Sequence, residues 1–213
     1  MKLAIIGATG FVGSAVVSEA LAQGHQVTAF VRNTEKLPMH VSLTAIGLDV
    51  FNENALSAEL KGHDAVISTY NPGWTNPNIR QEMIDGSAHI IQATKNADIQ
   101  SLLVVGGAGS LEIAPGLQLV DTPNFPAEWK EGALGAREVL SQLRTENELD
   151  WVFLSPAIVL EPGQRTGQFR YGNDTALMNG HEPGRISVED LAVAIIEEMS
   201  NRRFHRERFT IAY

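Results

Sequence analysis

The chain has 213 residues, 44% of them hydrophobic, with 16 basic against 25 acidic side chains and a formal charge of −9. That length suits one α/β domain with at most a small appended lobe, and the apolar content excludes wholesale disorder. The acidic balance leaves no footprint for non-specific binding to nucleic acid or a membrane, and the lack of cysteine excludes disulfides, thiolate catalysis and cysteine metal sites.

Lys2-Leu3-Ala4-Ile5-Ile6 reads as a first strand that stops at Gly7. Glycines follow at Gly10 and Gly13, and a helical pattern runs at once from Phe11 to Gln23. Gly7 permits a sharp turn, Gly10 leaves room for a phosphate to approach the main chain, and Gly13 allows close helix–strand packing. The free N–H groups of the first helical turn and the positive end of the helix dipole then face an anion. Gly7, Thr9, Gly10, Phe11, Val12 and Gly13 are therefore the expected wall of a dinucleotide-phosphate site. An αβ turn without a ligand has the same local pattern; the strand before it, the helix after it and a second strand at βαβ distance raise the ligand reading.

The second strand, Gln26 to Val31, is almost continuously apolar or β-branched, as a strand buried on both faces should be. It ends at Arg32. An acid at this place selects NAD by binding the ribose 2′-OH, whereas an arginine accommodates the 2′-phosphate of NADP. Arg32 points to NADP(H) over NAD(H); a solvated arginine at a strand end is the competing reading. A third strand, Ser42 to Leu48, leads into Asp49-Val50. Asp49 either accepts from the adenine amino group, with Val50 against the ring, or caps a short helix over Asn52 to Leu60.

Asp64 to Thr69 is a fourth strand, followed by the turn-rich loop Tyr70-Asn71-Pro72-Gly73-Trp74. An amphipathic helix is expected from about Pro77 to Asn96, and a fifth strand at Leu102 to Val105 ends in Gly106-Gly107-Ala108-Gly109-Ser110. Leu111 to Ala127 has three prolines and no period, and long loops of this kind are usually functional. A helix from Ala127 or Glu131 to Asn147 precedes a sixth strand, Trp151 to Leu154, and then Ser155-Pro156-Ala157. Thr166 to Tyr171 reads as a short outer strand. Ser187-Val188-Glu189-Asp190 resembles a capping box before a helix over Val188 to Ser200, with Glu197-Glu198 expected on its exposed face. Arg208 to Tyr213 is a closing strand.

This alternation predicts an α/β, Rossmann-like, doubly wound parallel sheet with helices on both faces. One unit, residues 1–213, is expected, with residues 156–186 as a small substrate-side extension. Ligands of such sheets sit at the carboxyl ends of the strands. Thr69, Tyr70, Asn71, Gly107, Ala108, Pro156 and Ala157 should therefore line one groove with the glycine turn, and Trp74 could stack on cofactor or substrate. Met1-Lys2 runs straight into the first strand and no apolar run approaches membrane-spanning length, so a cytoplasmic protein is expected. The six histidines show no HxxH or HExxH spacing, so no metal site is expected.

Gly7-Ala-Thr-Gly-Phe-Val-Gly13, Asn71-Pro-Gly-Trp74, Gly106-Gly-Ala-Gly-Ser-Leu111, Leu154-Ser-Pro-Ala157 and Ile186-Ser-Val-Glu-Asp-Leu191 together resemble the NADH-flavin reductases. These are atypical short-chain dehydrogenase/reductases related to NmrA-like proteins and to biliverdin-IXβ/flavin reductases. The GxxGxxG spacing is the variant of that group. The resemblance spans essentially the whole chain. It implies an NAD(P)H-dependent oxidoreductase reducing flavin or a similar planar small-molecule acceptor, as a monomer or homodimer. It also places Ser110 at the family's active-site serine, where it could touch the substrate or the nicotinamide; a turn cap is the alternative.

One departure matters. The three tyrosines, Tyr70, Tyr171 and Tyr213, have no lysine four residues on, so the usual Tyr-x-x-x-Lys proton donor is absent. Hydride transfer to flavin needs no such donor, only a held nicotinamide and stacking walls. A non-catalytic NADP-binding redox sensor fits the absence equally well. An epimerase- or dehydratase-like protein fits it less.

Overall fold

The computed structural model describes residues 1–213. In chain order the main elements are β1 (Lys2–Ile6), α1 (Phe11–Ala22), β2 (Gln26–Val31), β3 (Leu43–Gly47), α2 (Glu53–Leu60), β4 (Ala65–Ser68), α3 (Ile79–Asn96) and β5 (Ser101–Val105). There follow α4 (Ala127–Leu143), β6 (Asp150–Ser155), β7 (Arg170–Gly172), α5 (Val188–Asn201) and β8 (Glu207–Ala212). Eight strands form one sheet in the order β3-β2-β1-β4-β5-β6-β8-β7. The order reverses between β1 and β4, which opens a crevice at their carboxyl ends.

Alternation along β1 sends its side chains into two cores. Leu3 and Ile5 join the layer with α1 and α5; Ala4 and Ile6 join the layer with α2, α3 and α4. Each layer is a contiguous apolar cluster, of 25 and 21 buried residues. Burying each large aliphatic side chain contributes about 1.5–3 kcal/mol, so both faces are needed to hold the sheet.

The structure departs from the sequence reading in four places. The sheet is not wholly parallel, because β7 pairs antiparallel with β8 at the edge. The strand expected over Thr166 to Tyr171 starts only at Arg170, because the Thr166 and Gly167 amides donate to the Asp190 carboxylate (2.8 and 2.7 Å) instead of to a ladder. The proline-bearing loop holds a small hairpin, Glu112–Ala114 with Leu117–Gln118, turning at Gly116 with φ +73°. Glu198 does not face solvent: it is buried and accepts from the Arg203 and Phe204 amides just past α5.

Residues 156–186 include β7, which pairs with the edge of β8, and Val159–Glu161, which pairs parallel with Arg185–Ser187. Arg165 forms a bidentate pair with the buried Glu19 of α1, and the Glu112 and Ala176 amides donate to the Asp174 and Glu112 carbonyls. Ser187 caps α5 by accepting from the Asp190 amide, but the return half of a capping box is missing. The Ser187 amide donates to the Tyr213 hydroxyl, and Asp190 is engaged by Thr166, Gly167 and Tyr213. No helix is long and apolar enough to cross a membrane.

Candidate functional site

The glycine turn sits between β1 and β4, and its three glycines have three different surroundings. Gly7 has φ +79°, and a Cβ there would fall 2.7 Å from the Thr69 carbonyl oxygen. A Cβ on Gly13 would fall 2.2 Å from the Gly7 carbonyl oxygen, so the helix lies directly on the turn. Gly10 is exposed, and its Cβ would meet only the Gly7 carbonyl, at 3.3 Å. The chain is thus closed around Gly7 and Gly13 and open at Gly10. Gly10 heads α1 with no side-chain cap and no acid in the first turn, so the helix N-terminus keeps its donors for an anion.

Beside this turn lies a cavity of about 250 Å³ at the carboxyl ends of β1 to β4. It brings together Gly7, Thr9, Gly10, Arg32, Asp49, Val50, Thr69, Tyr70 and Asn71 from the expected site. Arg32 is exposed at the end of β2 and forms no ion pair. Asp49 does not cap α2; its Oδ1 accepts from the Phe51 amide at 3.1 Å, and Asn52 is the cap, accepting from the Ala55 amide. Val50 is buried in the α2–α4 core and forms part of the cavity wall. The Thr69 hydroxyl donates to the Ile6 carbonyl at 2.8 Å and so braces β4 against β1. The Asn71 side chain accepts from the Gly73 amide at 2.8 Å, which shapes the loop.

Tyr70 is half-buried, and its hydroxyl donates to the Glu82 carbonyl at 3.2 Å. Its ring lies against α3 at Gly86, where a Cβ would fall 2.5 Å from the ring. Burial, followed by the nearby Glu82 and Asp49 carboxylates, pushes its pKa up to about 12, with Arg32 opposing. A tyrosine raised in this way is a poor proton donor at neutral pH. Tyr171 packs in an aromatic cluster with Phe169, Phe204 and Phe209, and the Tyr213 hydroxyl lies 2.8 Å from both Asp190 Oδ2 and Ser187 Oγ. None of the three tyrosines is activated at the cavity.

Gly107, Ala108, Pro156 and Ala157 lie beyond β5 and β6, outside the lining of this cavity, and Pro156 and Ala157 are buried. Phe11 and Val12 begin α1 and also lie outside the lining, Phe11 being exposed. Ser110 faces inward. It is 3% exposed, and its hydroxyl oxygen accepts from Arg208 Nη1 at 2.9 Å. Trp74 is exposed and leans on α4. Sequence reasoning missed Leu48, Phe51, Pro72 and Glu82, which also line the cavity. Phe51 directly follows Asp49-Val50, so an exposed aromatic there was a readable signal. Glu82 reaches the cavity only through the placement of α3. No group of three or more His, Asp or Glu side chains is arranged to hold a metal ion.

These features fit a dinucleotide: an open glycine at a helix N-terminus, an unpaired arginine one strand away and an apolar wall at Val50. The chain matches the NAD(P)H-binding family over residues 7–201. It is 36% identical to YwnB of Bacillus subtilis over 214 residues, covering 99% of this chain and 98% of that protein. Among solved structures, a candidate epimerase from Bacteroides thetaiotaomicron is 43% identical with a TM-score of 0.93, covering 100% of this chain and 96% of that one. A candidate NADH-flavin reductase from Streptococcus pneumoniae is 35% identical with a TM-score of 0.87, covering 100% and 99%. The chain therefore belongs to the NAD(P)H-binding family and has a Rossmann-like α/β fold.

Proposed function

We propose that the protein is an NAD(P)H-dependent reductase that reduces a planar acceptor of the flavin type, with NADPH preferred to NADH. The observation that carries this reading is the pairing, in one cavity, of a glycine turn open to phosphate with an arginine free of any carboxylate partner. When bound, the nicotinamide would supply a hydride to the acceptor, and solvent would supply the accompanying proton.

The chain's residues divide the work of holding that cofactor. Gly10 and the first-turn amides of Phe11, Val12 and Gly13 receive the pyrophosphate. Arg32 receives the 2′-phosphate. Asp49 accepts from the adenine amino group, and Val50 and Phe51 wall the ring. The main chain at Gly107, Ala108, Pro156 and Ala157 borders the nicotinamide, and residues 156–186 frame the same strand ends. Ser110, seated on Arg208, supports the turn after β5 instead of reaching an acceptor.

Burial and nearby carboxylates raise the Tyr70 pKa, which supports an acceptor whose reduction draws its proton from solvent. The decisive assay follows NADPH oxidation with free flavin, quinone or biliverdin. Acceleration by one of these is expected. Tight NADPH binding with no acceleration by any of them would remove the reductase reading and favour a nucleotide-binding sensor, which the lack of an activated tyrosine also fits. That sensor would distinguish oxidised from reduced cofactor in affinity and would capture a partner protein.

A further inference from the structure

β3 closes one end of the eight-stranded sheet, so one side of it has no strand partner. The phase of its ladder with β2 shows which groups stay open. The Val27 amide donates to the Ser42 carbonyl and the Leu48 amide to the Val31 carbonyl, each at 2.8 Å. In a parallel pair, alternate residues bond to a given neighbour, so Ser42, Thr44, Ile46 and Leu48 turn their main chain to β2. Leu43, Ala45 and Gly47 turn theirs outward. The Leu43 amide is taken by the His40 carbonyl at 3.1 Å. The Leu43 carbonyl and both main-chain groups of Ala45 and Gly47 therefore face away from the sheet, and Ala45 and Gly47 are exposed.

An open edge is a template for another chain, and proteins blunt such edges with charge, proline, a bulge or short length. Val41 to Leu48 holds no charged residue and no proline, and the β2–β3 register runs unbroken from Leu43 to Gly47. The opposite edge, β7, is only three residues long and carries Arg170. Just before β3, Met39 and Val41 are 102% and 99% exposed, so apolar side chains flank the open strand. The lack of charge matters in a chain of −9. Two copies repel one another over most of their surfaces, and at this edge they meet without like charges opposed.

We propose that β3 pairs antiparallel with β3 of a second copy of this chain, across a two-fold axis at Ala45, so that one sheet runs through both copies. Each Ala45 then gives and takes a hydrogen bond with its symmetry mate, and each Gly47 amide meets a Leu43 carbonyl. A two-fold interface needs a self-complementary patch, and an edge whose free groups centre on one residue is such a patch. The same register sets Val41 of the partner subunit opposite Asp49, which lines the cavity at the carboxyl ends of the strands. The second copy thereby completes the rim of that cavity on its Asp49 side, a step that rests on the reading of the cavity as the NAD(P)H site. Nucleotide binding and dimer formation are then coupled, each strengthening the other by the same factor.

The test combines sedimentation with cross-linking. Ala45→Lys puts like charges opposite one another at an exposed position, and it should weaken the dimer by about tenfold or more while the thermal melt of the monomer stays unchanged. The chain has no cysteine, so single cysteines report the register directly. Ala45→Cys places its Cα about 5.5 Å from its mate and should form a disulfide-linked dimer on mild oxidation. Thr44→Cys sits diagonally, about 7–8 Å from its mate, and should stay unlinked. NADPH should bind about fivefold more weakly to Ala45→Lys than to the wild-type dimer. A wild type that stays monomeric at every concentration, or a dimer that Ala45→Lys leaves intact, would overturn the interface. Equal cross-linking at positions 44 and 45 would overturn the register. NADPH affinity that is the same in the Ala45→Lys monomer and the wild-type dimer would sever the interface from the cavity. A dimer that cross-links at position 45 but never binds NADPH would uphold the interface and sink the cofactor reading alone.

Discussion

Arg208 donates from one guanidinium nitrogen to both oxygens of Ser110, at 3.0 Å to the carbonyl and 2.9 Å to the hydroxyl. Its other terminal nitrogen holds the carbonyl and carboxylate of Asp174. The closing strand thereby fixes the turn after β5, 98 residues earlier. Ser110→Ala removes one acceptor and should cost about 1 kcal/mol. Arg208→Met leaves several groups unpaired and should cost about 3 kcal/mol. Chemical denaturation measures both. If Ser110→Ala abolished turnover at unchanged stability, Ser110 would be a group that touches substrate.

Arg32 is the proposed cofactor discriminator. Arg32→Ala should weaken NADPH by roughly 1.5–3 kcal/mol, the range for a hydrogen bond to a charged group, and leave NADH within about twofold. Calorimetric titration of both nucleotides decides it. An equal loss for both would remove Arg32 from the 2′-phosphate.

Gly13 and Gly24 give a matched pair. A Cβ at Gly13 meets backbone at 2.2 Å, whereas at Gly24, with φ +79°, it meets nothing within 4 Å. Gly13→Ala should therefore destabilise by about 3 kcal/mol or more through overpacking and abolish nucleotide binding. Gly24→Ala should cost only about 1 kcal/mol of backbone strain and leave nucleotide affinity unchanged. Thermal melts with and without NADPH separate the two.

Tyr70 tests the claim that no protein acid is used. Tyr70→Phe should leave turnover within about threefold and the pH–rate profile flat through neutrality, because a group raised to about 12 stays protonated there. A loss of about a hundredfold, of the size expected for a missing general acid, would make Tyr70 that acid.

Asp190 gives a pH dependence of stability. Burial works to raise its pKa, but hydrogen bonds from Thr166, Gly167 and Tyr213 outweigh it and hold the carboxyl below its ordinary value. The folded pKa lies below the unfolded one, so the stabilisation is complete above the unfolded value of about 3.9 and fades as pH falls towards the folded value. Asp190→Asn should lose about 1–3 kcal/mol at neutral pH and show a shallower decline on acidification. Urea midpoints measured across the acid range check this.

The sequence by itself determined the repeating βα order and the glycine turn. The apolar run Leu3 to Ile6, the helical period after Phe11 and the requirement for glycine at Gly7 are local, set by a few neighbouring residues. Arg32 and Asp49 were legible for the same reason, since Arg32 directly follows β2 and Asp49 lies two residues past β3. The tertiary structure alone decided the antiparallel β7, the inward turn of Ser110 onto Arg208, the burial of Glu198, the arrival of Glu82 at the groove and the seating of Trp74 on α4. Those outcomes depend on which distant strand or helix packs alongside. Periodicity reports the face a residue prefers, not the partner it meets there.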